Sequence, residues 1–378
     1  MAGTVEIGLQ DFGKIRREHV FYIDKTRFIK EWWESKDEVT LITRPRRFGK
    51  TLTMSMVEQF FSVEYAGNEN FQGLEIWKED GYRKMQGTYP VISLSLSSVK
   101  EKSYEEARKK ICSLIRMLYQ KNSFLLEGDW LNGQEKAEFR QVSAAMPEYE
   151  ASLTIRKLSG YLKRYYGKNV ILLMDEYDTP MQEAHVKGYW QELADFMRNL
   201  LNAALKDNPY LDRGIMTGIT RISKESIFSD LNHLQVVTTT SDKYADCFGF
   251  TEEEVFAALE EYGLGDRKAE VKKWYDGFCF GKRKDIYNPW SVLNYLDKRE
   301  AGPYWDQIYE LSVTNFEVMI MLKKLVRGWF APSSASYNEF IRALLQDDIQ
   351  AMNVYMNRIA QATFSYFDSG KPENIERN

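Results

Sequence analysis

Apolar positions in this chain recur with two different spacings. Short runs of apolar and β-branched residues predict strands over 39–43, 90–96, 170–174, 213–217 and 234–239. Between them, apolar positions three and four residues apart predict helices over 27–34, 52–61, 104–120 and 155–166. Strands that alternate with helices imply a three-layer α/β domain around a mostly parallel sheet. The texture changes after Phe250. Thr251-Glu252-Glu253-Glu254 reads as a capping pattern for a helix through Glu261, and further helices are predicted over 267–274 and 291–296. The aromatic clusters Tyr275-Asp276-Gly277-Phe278 and Tyr287-Asn288-Pro289-Trp290 read as turns. Helical periodicity also dominates 312–330 and 337–367, and 371–378 reads as a frayed end. The expected organisation is an α/β domain over 1–250, a helical lid over 251–305 and a helical C-terminal region over 306–378.

The first predicted strand runs into Thr43-Arg44-Pro45-Arg46-Arg47-Phe48-Gly49-Lys50-Thr51-Leu52. A phosphate-binding loop reads Gly, four residues, Gly-Lys, then Ser or Thr, between a strand and a helix. Here Arg44 occupies the first glycine's place, while Gly49, Lys50 and Thr51 are intact. In such a loop, backbone N–H groups and the helix N-terminus cradle the phosphates, lysine reaches the outer ones, and the hydroxyl faces Mg²⁺. Residues 44–52 are therefore the candidate segment for binding a nucleoside triphosphate, with an extended Arg44 entering the loop and Arg46 and Arg47 as added positive charge near the phosphates. Pro45 biases Arg44 toward an extended backbone. The alternative is a basic turn before an ordinary helix.

A second signal is Val170-Ile171-Leu172-Leu173-Met174-Asp175-Glu176-Tyr177-Asp178. Five apolar residues form a strand buried on both faces, and an acidic pair follows where that strand leaves the sheet. Asp175 is then placed to hold Mg²⁺ with Thr51, and Glu176 to orient or deprotonate water. Asp178 is either an outer acid behind the site or the cap of the next helix. Thr217, at the end of another predicted strand, is a candidate for sensing the outer phosphate or positioning water, and Arg221 for contacting phosphate within the subunit or across an interface, with a surface salt bridge as its structural alternative. Tyr22 and Asp24 have two readings, beside the nucleotide base or as caps and cover for the first helix.

Composition narrows the partners. With 44% hydrophobic and 28% charged residues, the chain falls outside the range of disorder. A formal charge of −4 gives no global basic field, so only the local Arg-rich loop points to nucleic acid. Three cysteines and three histidines without paired spacing give no zinc motif. The opening residues lack a secretory pattern, and no apolar run reaches membrane-spanning length, so the expected location is the cytoplasm and no membrane partner is expected.

These motifs together resemble those of the bacterial AAA-ATPase-like family, P-loop NTPases often fused to a C-terminal nuclease domain of the PD-(D/E)XK superfamily. The resemblance covers residues 7–296. It rests on Gly8-Leu9-Gln10-Asp11-Phe12, Phe21-Tyr22-Ile23-Asp24-Lys25-Thr26, the Thr43–Thr51 loop, Asp175–Pro180, Gly218-Ile219-Thr220-Arg221-Ile222-Ser223 and Tyr275–Phe278. It implies a P-loop three-layer sandwich and Mg²⁺-dependent ATP binding and hydrolysis, with Lys50 and Thr51 on triphosphate and metal, Asp175 and Glu176 on metal and water, and Arg221 as a sensor. It also implies that arginine at position 44 is a family feature. Residues 306–378 resemble only the lead-in to the nuclease domain and lack a Glu-x-Lys metal core, so nuclease activity is not expected. The expected output is a conformational change passed to a protein partner or to further copies of the chain. The alternative is a nucleotide-dependent switch or scaffold that does not hydrolyse.

Overall fold

Val39–Thr43 has no polar stripe, and in the computed structural model it forms strand β1, buried along its whole length. The structure describes residues 3–220, 222, 227, 228, 231 and 233–304. The expected helical segments from 306 onward, and Arg221, lie outside the described residues. β2 (Val91–Ser95), β3 (Val170–Asp175), β4 (Leu211–Gly218) and β5 (Leu234–Val237) complete a five-stranded sheet in the order β2-β3-β4-β1-β5. Every pairing is parallel. The sheet is thus wholly parallel, where mostly parallel was expected. β2 alternates buried and partly exposed positions because it is an edge strand, whereas β3 is buried throughout.

Helices α1 (Phe12–Arg17), α2 (Arg27–Ser35), α3 (Lys50–Phe61) and α4 (Asp80–Met85) precede β2 or flank β1 in the chain. α5 (Tyr104–Lys121), α6 (Gly133–Gln141), α7 (Glu148–Tyr166), α8 (Thr179–Lys187) and α9 (Trp190–Leu201) supply the later connections. Val39, Leu41, Ile92, Leu94, Val170, Leu172, Met174 and Met216 join one core with residues of α5, α7 and α9. Strand side chains alternate between faces, so Leu173, Asp175, Ile215 and Thr217 fall on the opposite side, where α3 packs against β3 and β4. This places Asp175 and Thr217 on the same side of the sheet as the helix that follows the glycine-lysine loop.

Residues 250–304 combine helices with a small antiparallel sheet. β6 (Phe250–Thr251), β7 (Phe278–Phe280) and β8 (Arg283–Tyr287) pair in the order β6-β8-β7, beside α10 (Glu252–Glu261), α11 (Lys268–Tyr275) and α12 (Pro289–Lys298). Their own core contains Val255, Leu259, Val271, Tyr275, Tyr287 and Val292. The sequence reading expected helices and turns here. Strands of two to five residues carry too few alternations to separate from aromatic turns, and pairing decides them. The capping box of α10, Thr251 with Glu254, is present.

An acidic cluster sits in this region. Carboxylate oxygens of Glu252, Asp276 and Asp285 lie within 4.8 Å of one another, and Tyr287 donates to Glu252 at 3.0 Å. Burial, with Asp285 adding repulsion and a hydrogen bond, pushes the Asp276 carboxyl up to about 6, against the opposing pull of Lys272. The folded state therefore holds this proton more tightly than the unfolded chain, where an aspartate titrates near 3.9. The stabilisation is complete below about pH 4 and is lost as pH rises through about 6. Asp276→Asn is expected to melt at a higher temperature than wild type at pH 7, with the gap closing near pH 4. Parallel melts across that range check it, and a constant gap would contradict the assignment.

Candidate functional site

The loop between β1 and α3 makes its sharp turns at Arg47, with φ of 67°, and at Gly49, with φ of 83°. Arg44 has no positive φ, which explains why glycine is not required there. Its N–H continues the sheet ladder by donating to the Gly218 carbonyl at 3.2 Å. The Arg44 side chain is fully buried, with its guanidinium 4.5 Å from the Phe280 ring centroid and 5.6 Å from that of Phe248. It donates to the Thr43 carbonyl at 3.1 Å and the Lys243 carbonyl at 3.5 Å. Burial pulls its pKa down to about 10, so it stays charged at neutral pH. The sequence reading had an extended Arg44 entering the loop. The structure places its charge in an aromatic wall, and leaves the Arg44 backbone to shape the loop.

Phe48 is buried with its ring centroid 4.9 Å from that of Phe278 and 5.3 Å from that of Phe280. Arg47 stacks over Trp290, whose indole N–H donates to the Tyr304 carbonyl at 3.0 Å. Arg46 is exposed. The loop is therefore attached to the 250–304 region through Arg44, Arg47 and Phe48. Lys50, the first residue of α3, is buried and donates to the carbonyls of Arg44 and Pro45, each at 2.8 Å. Thr51 and Leu52 follow on the first turn of α3, partly buried. A Cβ built at Gly49 would meet nothing within 4 Å, so there is open space at the helix N-terminus.

Asp175 ends β3 and is nearly buried. Its Oδ1 accepts from the Glu176 N–H at 3.1 Å and from the Thr217 hydroxyl. Glu176 has a φ of 52°, a left-handed conformation costly for a residue with a Cβ. Its carboxylate accepts from Thr179 Oγ1 at 3.0 Å. The two motifs leave strands that are not neighbours in the sheet. β4 lies between β1 and β3, with Thr217 paired to Ile42 on one side and Met216 to Met174 on the other. Both motifs nevertheless leave the sheet at its carboxyl edge, the usual ligand side of such sheets.

Asp178 makes no capping bond to α8, although it precedes that helix directly. Its carboxylate turns instead to the backbone after β4, which sequence periodicity gives no means of reading. Asp24 caps locally by accepting from Thr26, and its other oxygen accepts from the Glu75 N–H at 2.7 Å. Tyr22 bonds to Met56 Sδ at 3.5 Å and borders a cavity of about 100 Å³, whose wall also includes Phe48, Gly49, Leu52 and Thr53. This cavity adjoins the start of α3.

Gly218 shows how tightly this edge is packed. A Cβ there would lie 2.7 Å from Asp178 Oδ1 and 2.7 Å from Tyr177 Cε1. Gly218→Ala is expected to destabilise the fold by about 1–3 kcal/mol in urea unfolding, as overpacking of a filled site does. A change below about 0.5 kcal/mol, the usual size for open surface sites, would show that the edge relaxes freely.

The family model described as predicted AAA-ATPase matches residues 6–228, a range containing the loop, the acidic pair and Thr217. An uncharacterised protein from the vnfD 5′ region of Azotobacter chroococcum mcd 1 is 28% identical over 325 residues, which is 84% of this chain and 56% of that protein. The chain spans little more than half the length of that curated relative. Among the described residues, no helix is long and apolar enough to cross a membrane.

Proposed function

Because this chain belongs to the predicted AAA-ATPase family, we propose that it binds ATP with Mg²⁺ between residues 44–52 and the Asp175–Thr217 edge, and hydrolyses the ATP there. The observation that carries this reading is Lys50. Its buried ammonium rests on two loop carbonyls beside the open N-terminus of a twelve-residue helix. An outer phosphate competes well for such a cation, because a charge-assisted bond to an anion exceeds one to a neutral carbonyl. The α3 N-terminus favours the same anion.

The donors present fit Mg²⁺: the Thr51 hydroxyl and the Asp175 carboxylate are hard oxygen ligands, with water and phosphate oxygens left to complete the shell. When bound, the ion would neutralise phosphate charge. Thr217 orients the Asp175 carboxylate through its hydroxyl. Glu176 is assigned the role of orienting water and accepting its proton, once it leaves Thr179. The apolar cavity bordered by Tyr22, Phe48 and Leu52 is the place for the base. Arg221 keeps its assignment as a sensor of phosphate.

A change in the loop would be felt at Phe278, Phe280 and Trp290, which its side chains touch. That contact supports an output in which the nucleotide state is passed through residues 250–304 to a partner protein or to another copy of the chain. The contact between Glu176 and Thr179 favours a second reading, a switch that binds ATP without hydrolysing it. Calorimetry with ATP and Mg²⁺, followed by phosphate-release assays on the same preparation, separates the two. Saturable heat with phosphate release is expected. Heat without release replaces hydrolysis by the switch, and no heat overturns both.

A further inference from the structure

The segment leaving β3 is tied to the end of β4 at every residue but Glu176. Asp175 Oδ1 accepts from the Thr217 hydroxyl, and the Tyr177 N–H donates to the Thr217 carbonyl at 3.0 Å. The buried Tyr177 hydroxyl donates to the Thr220 carbonyl at 2.8 Å and accepts from the Ile222 N–H at 3.1 Å. Asp178, fully buried, accepts through Oδ2 from the Ile219 N–H at 2.9 Å, the Thr220 N–H at 2.8 Å and the Thr220 hydroxyl at 2.9 Å. Gln182 Nε2 donates to the same oxygen at 2.9 Å.

A buried carboxylate is stable only where donors converge on it. An aspartate directly before a helix ordinarily supplies its oxygen to the first turn of that helix. Here the oxygen goes to the neighbouring strand's exit. On the other side of that exit, Gly218 is held by the Arg44 N–H of the phosphate loop. β4 separates β1 from β3, so the relative position of the loop and the acidic pair passes through residues 217–220.

We propose that Tyr177 and Asp178 are positioning residues that clamp the exit of β4, fixing Thr217 on Asp175 and the acidic pair relative to the phosphate loop. The proposal rests on the hydrolysis reading given above. It assigns the two residues no contact with ATP. Affinity is set by the loop and Lys50, while turnover depends on how accurately the two sides of the site are held together, and small misplacements of reacting groups slow chemistry strongly.

Tyr177→Phe is the cleanest probe, since it deletes one hydroxyl and keeps the ring packed near Phe228. In the full chain it is expected to lower kcat about tenfold with KM for ATP changed less than about twofold. The melting temperature should stay within about 5 °C of wild type. Asp178→Ala should lower kcat further, and Asp178→Asn, which keeps one acceptor oxygen, should recover part of that loss. If Asp178→Ala does not fold, the Tyr177→Phe result decides. Wild-type kcat in Tyr177→Phe, or a loss of kcat matched by an equal loss of ATP affinity, overturns the proposal. Should wild type itself release no phosphate, the hydrolysis reading fails and the clamp is judged by deuterium exchange with ATP present. Faster exchange at the amides of 219, 220 and 222 in Tyr177→Phe supports it, and unchanged exchange overturns it.

Discussion

Glu176→Gln is expected to bind ATP with nearly wild-type affinity and to lose turnover by about 10²–10⁴-fold, the usual contribution of a positioned general base. The substitution keeps size and keeps an oxygen that can accept from Thr179 Oγ1, whose present contact is 3.0 Å. It leaves the backbone bond from Glu176 N–H to Asp175 undisturbed. What it removes is the carboxylate's charge and, with it, the ability to accept a proton from water. Binding measured by calorimetry and turnover by phosphate release must therefore separate in this variant. Equal phosphate release by variant and wild type would remove Glu176 from the chemistry and move the base elsewhere on the site.

Lys50→Ala should act on the other quantity. It removes the charge beside the helix N-terminus and leaves the carbonyls of Arg44 and Pro45 without the donor they now share at 2.8 Å. Hydrogen bonds involving a charged partner contribute about 1.5–3 kcal/mol each, so an affinity loss of about 10²-fold or more is expected in the calorimeter. Lys50→Arg should recover little of it, because a planar guanidinium does not fit the place of a compact buried ammonium. ATP binding by Lys50→Ala at wild-type strength would place the triphosphate away from this loop. The two variants together also test Mg²⁺, since the heat of binding in wild type should fall when the ion is omitted.

The strands of the main sheet were legible because each is a buried run between turn signals. Val39–Thr43 and Val170–Asp175 are buried at every position. The helices around them were legible where the apolar stripe was long, as in Tyr104–Lys121. α7 begins at Glu148, well before the stripe read from sequence, because its first turns are decided by packing and by Pro147 at their start. The short strands β6, β7 and β8 were not legible at all. Their aromatic residues look the same in a turn and in a sheet, and the difference is whether a partner strand pairs with them, across a tight connection for β7 and β8 and from farther along the chain for β6 and β8.

Chain order by itself determined the two candidate segments: a glycine, a lysine and a threonine between a strand and a helix, and two acids at another strand's end. These are local relations, set by backbone geometry within a few residues. Tertiary structure alone decided that β4 stands between the two motifs, that Arg44 turns into Phe248 and Phe280, and that Asp178 grips residues 219 and 220 instead of capping its own helix. Each of those outcomes depends on which distant group fills a buried space or hydrogen-bonds a buried polar group. Such pairing is a property of the packed molecule, and no period along the chain carries it.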